Sequence, residues 1–158
     1  FGELEKFRAE GKIQSIGCSN FSAAQMEEVL RFSKIKYAQL PINILDRSLD
    51  GRIVDLCAKN KVEIVAYNVL ANGLLSGKYN KDSTFPKNDR RSNLPLFKGV
   101  AYQDALERVE ELKVMASCRE STVAKYSIQW VLSQPCVVSA IVGIKNPQQM
   151  LENWSSTI

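Results

Sequence analysis

One stretch of the sequence, VEIVAYNVLANGLLSGK at residues 62–78, constrains the fold more than any other. It opens with an almost continuous run of β-branched and small apolar residues, which is typical of a strand in a parallel sheet with both faces covered. Tyr67 lies where this strand should end, and the loop that follows contains Gly73 and Gly77. Because sites in parallel α/β barrels lie at the carboxyl ends of strands, the stretch predicts a buried strand that carries Tyr67 to a candidate site.

Two interpretations of Tyr67 are open from its position alone. The side chain can close the core with its hydroxyl group at the surface, which is the commoner arrangement for a tyrosine. Alternatively, its ring provides a flat apolar surface against which a heterocycle can pack.

Strands and helices alternate along the rest of the chain. Ser22 with Gln25 forms a capping box, Pro41 should end a strand, and Asn60 should end a helix. The apolar stripe of the helix after Ser22 is predicted to be Met26, Val29, Leu30 and Phe32. We predict strands over 13–18, 37–41, 62–67 and 137–142, and helices up to Gly11, from Ser22, over 51–60 and 102–117, from Ser121 or Thr122 to Pro135, and from Pro147.

This alternation indicates parallel βαβ units with right-handed crossovers. Four such strands make either a small open sheet or half of an eight-stranded barrel. The dinucleotide-binding motif Gly-x-Gly-x-x-Gly follows none of the strands in the sequence, which disfavours a doubly wound fold. The third strand is followed by an unusually long loop, residues 78–100, which we interpret as a lid or binding loop.

Composition narrows the function classes. The 158 residues are 45% hydrophobic, enough for one soluble domain, and neither a bilayer-spanning run nor a signal peptide is evident, so we expect a cytoplasmic protein without membrane insertion. The net charge of +4 is spread along the chain, so nucleic acid is not an expected partner.

The cysteine and histidine content excludes further chemistry. The four cysteines form no Cys-x-x-Cys pair and the sequence has no histidine, so neither a zinc site nor a histidine-dependent triad is predicted. We expect reduced, mostly buried thiols.

Four segments at the carboxyl ends of the strands resemble the aldo-keto reductases in order and spacing: GKIQSIGCSNFS at 11–22, YAQLP at 37–41, AYNVLANGLLSGKY at 66–79 and GIKNPQQMLEN at 143–153. The segment FPKNDRR at 85–91 also fits a motif of the family's long loop. The resemblance implies an α/β fold of the (β/α)8 TIM-barrel type. It further implies that residues 1–158 are the C-terminal half-barrel, with four parallel strands corresponding to strands five to eight.

The resemblance also implies a binding site for NADP(H). Ser19 and Asn20 would hold the nicotinamide carboxamide with help from Gln39, and Tyr67 would stack on the nicotinamide ring. Asn68, where the family more often has serine, belongs with Leu70, Gly73 and Lys78 to the loop after that strand. After the last strand, Gly143 would admit the cofactor backbone, Lys145 would meet the 2′-phosphate, and Glu152 and Asn153 would contact adenine, while Gln149 stands where many members have arginine.

The pair Asp89 and Arg91 is interpreted as ordering the long loop, with Arg91 or Lys78 able to reach the pyrophosphate. The implied reaction is reduction of aldehydes or ketones to alcohols. The aspartate, tyrosine, lysine and histidine of the family's reaction lie on its first four strands, so no catalytic residue is assigned here and this chain alone is expected to have no turnover.

Two alternatives remain open. One is a nucleotide-sensing regulatory subunit like the potassium-channel β subunits. The other is a non-catalytic half-barrel that associates with a copy of itself, since exposed sheet edges favour association. Expected partners are therefore a small carbonyl compound and either an N-terminal half or a second copy.

Overall fold

The computed structural model describes residues 1–46 and 51–154. Within them, four strands form one parallel sheet in chain order, which confirms the predicted βαβ organisation. The strands are β1 (Gly17–Ser19), β2 (Tyr37–Pro41), β3 (Glu63–Tyr67) and β4 (Val137–Ala140). The helices are α1 (Gly2–Ala9), α2 (Ala23–Leu30), α3 (Gly51–Asn60), α4 (Gly99–Ser117), α5 (Val123–Leu132) and α6 (Pro147–Trp154).

The start of α2 has the predicted capping box. Ser22 Oγ accepts a hydrogen bond from the Gln25 backbone N–H at 3.3 Å, and Gln25 Oε1 accepts one from the Ser22 N–H at 2.9 Å. These two bonds satisfy donors that a helix N-terminus otherwise leaves free. The prediction that Phe32 belongs to the buried stripe is wrong, because this side chain lies beyond the end of α2 and is 61% exposed.

Both outer strands are shorter than predicted. β1 begins at Gly17 instead of residue 13, because its partner β2 begins at Tyr37, directly opposite Gly17. The two strands approach closely here, since a Cβ atom on Gly17 would lie 2.9 Å from the Tyr37 carbonyl oxygen. β4 ends at Ala140 instead of residue 142, near the point where β3 also ends.

The long loop also differs from its predicted limits. Helix α4 begins at Gly99, so the loop is shorter than 78–100, and it contains 3-10 turns at Arg90–Asn93 and Pro95–Phe97. The first turn of α4 was missed because residues 99–101 are all exposed and give no apolar periodicity.

Contacts divide the chain into two compact units. The first, which we call the sheet unit, comprises Phe1–Ile42, Asp46–Tyr67 and Val131–Ile141; the second, the loop unit, comprises Asn43–Leu45, Asn68–Trp130 and Val142–Ile158. The core of the sheet unit includes Met26, Ile35, Leu40, Ile64 and Val62. The core of the loop unit includes Leu74, Leu75, Phe97, Tyr102 and Val109.

The cysteines are free, but the expectation that they are mostly buried is wrong. Cys57 is buried, Cys18 and Cys136 are half-buried, and Cys118, which follows the last residue of α4, is exposed. Burial, and to a smaller extent the neighbouring Cys136 and Cys18, raise the pKa of the Cys57 thiol to about 11. In the part of the chain that the structure describes, no helix has both the length and the hydropathy to cross a membrane.

Candidate functional site

Polar and aromatic side chains occupy one face of the sheet unit at the carboxyl ends of its strands. Ser19 pairs with Gln39, and Gln39 pairs with Val65 in the parallel register. Tyr67 ends β3 two residues after Val65 and therefore lies on the same face, because side chains alternate along a strand. Ser19 and Gln39 are exposed and Tyr67 is half-buried. This face thus presents a hydroxyl group, an amide and an aromatic ring.

Asn20 links these strand ends by hydrogen bonds. Its Oδ1 accepts a bond from the Tyr67 hydroxyl at 2.9 Å, and its backbone N–H donates to the Gln39 carbonyl at 3.2 Å. The same carbonyl accepts a bond from Ser19 Oγ at 3.4 Å. Asn20 has a φ of 59°, a left-handed conformation that asparagine tolerates better than most residues. The structure therefore brings Ser19, Asn20, Gln39 and Tyr67 together, with the Tyr67 ring fixed at its hydroxyl end.

The segment after β3 folds as a tight 3-10 turn, Ala71–Ser76, that contains several left-handed residues. Asn68, at a φ of 54°, turns its side chain to its own loop, since Oδ1 accepts a bond from the Asn72 N–H at 2.9 Å. Leu70 packs against the core of the loop unit. Gly73 lies beside the Tyr79 ring, with a would-be Cβ atom 3.8 Å from it.

The predicted Asp89–Arg91 pair orders the loop before α4. Asp89 Oδ1 accepts bonds from the Arg91 backbone N–H and from Nε, both at 2.9 Å, and the two side chains form an ion pair. The guanidinium lies 4.7 Å from the Phe85 ring centroid and 5.3 Å from that of Tyr79. Lys78 Nζ lies 5.0 Å from the same Tyr79 centroid.

The electrostatics of this loop follow from those contacts. The Arg91 side chain, and then its backbone N–H, hold the pKa of Asp89 well below its usual range, with a smaller contribution from the charge of Lys145. Asp89 in turn raises the pKa of Arg91. Arg91 is thus already engaged by a carboxylate and two aromatic rings, and its reach to a pyrophosphate stays a prediction.

After β4, the chain passes Gly143 and enters α6. A Cβ atom added to Gly143 would meet no atom within 4 Å, so the backbone is open on that side. Lys145 is exposed, and its backbone N–H donates to Gln149 Oε1 at 2.9 Å. Gln149 therefore uses its side-chain oxygen to hold the turn that carries Lys145.

Glu152 and Asn153 lie on α6. Glu152 Oε1 accepts a bond from Gln148 Nε2 at 3.0 Å, one helical turn away, and Asn153 is half-buried. Glu152 also lines a cavity of about 500 Å³ in the loop unit. The other lining residues come from the end of α4, the turn that follows it and the start of α5: Ser117, Glu120, Ser121, Thr122 and Lys125.

Sequence reasoning missed the α5 side of this cavity. In the sequence, Lys125 occupies an ordinary polar position of an amphipathic helix, and it is 27 positions from Glu152. No local pattern relates the two residues, because the turn between α4 and α5 brings them to one cavity.

The parallel sheet and its helices form an α/β fold, and the solved structures that resemble it are aldo-keto reductases and related dehydrogenases of the TIM-barrel type. A glycerol dehydrogenase from Gluconobacter oxydans is 36% identical to this chain, with a TM-score of 0.87 over 94% of this chain and 45% of its own. An aldo/keto reductase from Klebsiella pneumoniae, solved with NADP and acetate, has a TM-score of 0.68 over 97% of this chain and 46% of its own. At 22% identity, the latter shows the fold alone.

The profile of the Aldo/keto reductase family matches residues 1–157, and the chain belongs to that family. It is 31% identical over 141 residues to the aldo-keto reductase YhdN of Bacillus subtilis, a match covering 89% of this chain and 43% of the relative. It is 27% identical over 150 residues to the NADH-specific methylglyoxal reductase of Escherichia coli, a match that covers 95% of this chain and 45% of the relative. The chain spans about half the length of the curated relatives it matches.

Proposed function

We propose that this chain is the C-terminal half-barrel of a cytoplasmic, NADP(H)-dependent reductase that converts aldehydes or ketones to alcohols. In this proposal the chain supplies most of the cofactor-binding residues, and an N-terminal half supplies the catalytic ones. Membership of the Aldo/keto reductase family and the half-length match to its members support the proposal. The cysteines, all free, suit a reducing compartment.

The observation that carries the proposal is the linked set at the strand ends of the sheet unit. A carboxamide presents one acceptor and two donors, which the side chains of Asn20 and Gln39 can complement. The Tyr67 hydroxyl donates to Asn20 Oδ1 at 2.9 Å, so the ring and the amide are oriented together before any ligand arrives. The residues present therefore fit a nicotinamide, and the cofactor, when bound, would supply the hydride.

The family resemblance assigns the 2′-phosphate of the cofactor to residues that follow β4. Gly143 leaves open space where a side chain would stand, and Lys145 is an exposed cation whose turn is fixed by Gln149. A fixed cation favours the additional phosphate of NADP(H) over the ribose hydroxyl of NAD(H). The relatives differ on this point, since the Escherichia coli protein is named as NADH-specific and an aldo-keto reductase of Schizosaccharomyces pombe is named with NADP(+).

The test is a fluorescence titration of the purified chain with NADPH and with NADH. We expect saturable binding that is tighter for NADPH, and we expect Lys145→Met to lower NADPH affinity about tenfold while leaving NADH binding unchanged. Lys59→Met, which removes an exposed charge from α3, is the matched control. If Lys145→Met keeps both the NADPH affinity and the preference for NADPH over NADH of the wild-type chain, the assignment of Lys145 is wrong.

A second measurement tests whether the catalytic groups lie outside this chain. We expect the chain alone to show no carbonyl-dependent oxidation of NADPH. Turnover by the isolated chain would contradict the proposal that the catalytic groups lie outside it.

A further inference from the structure

The first strand of the sheet, β1, has a neighbouring strand on one side only in the part of the chain that the structure describes. Its partner on that side is β2, and the Asn20 N–H directly after β1 donates to the Gln39 carbonyl of β2 at 3.2 Å. Successive residues of a strand direct their backbone groups to opposite sides. The N–H and C=O groups of Ser19 and Gly17 therefore point away from β2, toward the open edge of the sheet.

The last strand, β4, forms the other edge. The Ile141 N–H directly after β4 donates to the Ala66 carbonyl of β3 at 2.7 Å. By the same alternation, the backbone groups of Ala140 point away from β3. Within the described residues, the sheet unit thus has unpaired strand groups at both edges, and such groups are a template for pairing with a further strand.

The side chains around the two edges do not oppose such pairing. Proteins commonly protect an open edge strand with charged residues. Here β1 lies in residues 13–26 and β4 in residues 126–144, and neither range contains a charged residue. At β4, the apolar side chains of Val138 and Ile141 are 52% and 49% exposed. The chemistry of each edge therefore fits an uncharged strand, and the chain itself carries two of these.

We propose that the β1 edge of one copy of this chain pairs with the β4 edge of a second copy, an inference that rests on the proposed half-barrel. A two-fold axis makes this contact twice, so neither edge stays open. Two sets of four parallel strands supply the eight of a closed TIM barrel. The match of this chain to about half the length of a solved relative supports the pairing. Because all strands stay parallel, the strand-end face of each copy is bordered by β4 of the other.

The experiment measures the molar mass of the purified 158-residue chain by sedimentation over a range of concentrations. We expect a mass near twice 17.7 kDa that falls toward the single value on dilution. Val138→Lys places a charge at the pairing edge and should raise the dissociation constant about hundredfold, about tenfold for each of the two contacts. Since the Val138 side chain is exposed in the single copy, the variant should keep its fold, which circular dichroism checks.

The matched control is Val114→Lys, the same exchange at a position of α4 in the loop unit that is 64% exposed. This variant should dimerise as the wild-type chain does. Amide hydrogen exchange then locates the interface. The N–H groups of Gly17, Ser19 and Ala140 should exchange slowly in the dimer and quickly in Val138→Lys.

Each other outcome overturns the inference. A wild-type chain that is monomeric at every concentration would leave the edges to a different chain, such as the proposed N-terminal half. A dimer that Val138→Lys does not weaken, or whose edge amides exchange quickly, would be held by another surface. A mass that keeps growing with concentration would mean open-ended pairing without the two-fold axis.

The NADPH titration separates this inference from the proposed function. If the chain binds NADPH but stays monomeric, the self-pairing is wrong and the proposed function stands. If the wild-type chain forms the expected dimer but neither it nor Val138→Lys binds NADPH, the self-pairing stands and the proposed function fails for this chain.

Discussion

The sheet unit and the loop unit hold their candidate residues in different ways. In the sheet unit, the decisive bond joins Tyr67 to Asn20, which are 47 positions apart. In the loop unit, candidate side chains bond to near neighbours, as Asn68 does to Asn72 and Gln149 to Lys145, each four positions apart.

This difference shows which interactions position the candidate residues in each unit. The strand ends of the sheet unit take up their arrangement only when three strands have paired, so their geometry depends on the core beneath them. The residues of the loop unit depend on the backbone conformation of each turn, including left-handed residues such as Gly77 at a φ of 73°. Substitutions should therefore act through packing and pairing in one unit and through backbone geometry in the other.

The largest effect is expected from Gly77→Ala. A Cβ atom at this position would lie 2.7 Å from Val123 Cγ1 and 3.0 Å from Lys113 Cε, in a left-handed conformation that alanine disfavours. Strain and overpacking together should lower the free energy of unfolding by about 3 kcal/mol. Urea denaturation followed by circular dichroism measures it.

The matched control is Gly143→Ala, which adds a methyl group that would meet nothing within 4 Å. Its effect should stay within about 0.5 kcal/mol. Equal unfolding midpoints for the two variants would contradict the claim that backbone geometry holds the loop unit together.

The elements that could be predicted from the sequence are those with local signals. Helix α3 has the predicted bounds, Gly51 to Asn60, and Pro41 ends β2 as its missing N–H requires. The lengths of β1 and β4 could not be predicted, because each is set by its partner strand. The start of α4 at Gly99 could not be predicted, because residues 99–101 are all exposed and give no apolar periodicity.

In the candidate site, too, the features with local sequence signals could be predicted, and those that depend on contacts between distant segments could not. Tyr67 was predicted at the end of a strand because the apolar run stops there, but its bond to Asn20 depends on sheet register, which no local pattern shows. The Asp89–Arg91 pair was predicted correctly because both residues lie in one short motif. The cavity shared by Lys125 and Glu152 has no sequence signal at all.

The next prediction concerns the sheet unit. Tyr67→Ala removes the ring and its bond to Asn20, and should weaken NADPH binding by about thirtyfold, or about 2 kcal/mol. Tyr67→Phe keeps the ring and loses the bond, and should weaken binding only about threefold. Tyr37→Phe, at the opposite end of the sheet, is the control. If the Phe and Ala variants at 67 bind NADPH equally, the ring surface does not contribute.

The smallest effect is expected from Asp89, and it depends on pH. Arg91 lowers the pKa of Asp89 in the folded chain below its ordinary value of 3.8. A carboxyl group with a lowered pKa stabilises the fold above its ordinary pKa, and this stabilisation is lost as pH falls below about 4 toward the folded value. The wild-type chain should therefore lose more stability between pH 6 and pH 3 than Asp89→Asn loses.

Asparagine at 89 retains an oxygen that can accept the Arg91 backbone N–H, so the variant removes the charge while keeping the cap of the 3-10 turn. Asp82→Asn, at an exposed position of the same loop, matches it in net charge. Urea denaturation at pH 6 and pH 3 gives the difference for each chain. If Asp89→Asn and the wild-type chain lose the same stability, the ion pair does not stabilise this loop, and its local hydrogen bonds and backbone geometry are sufficient to hold it.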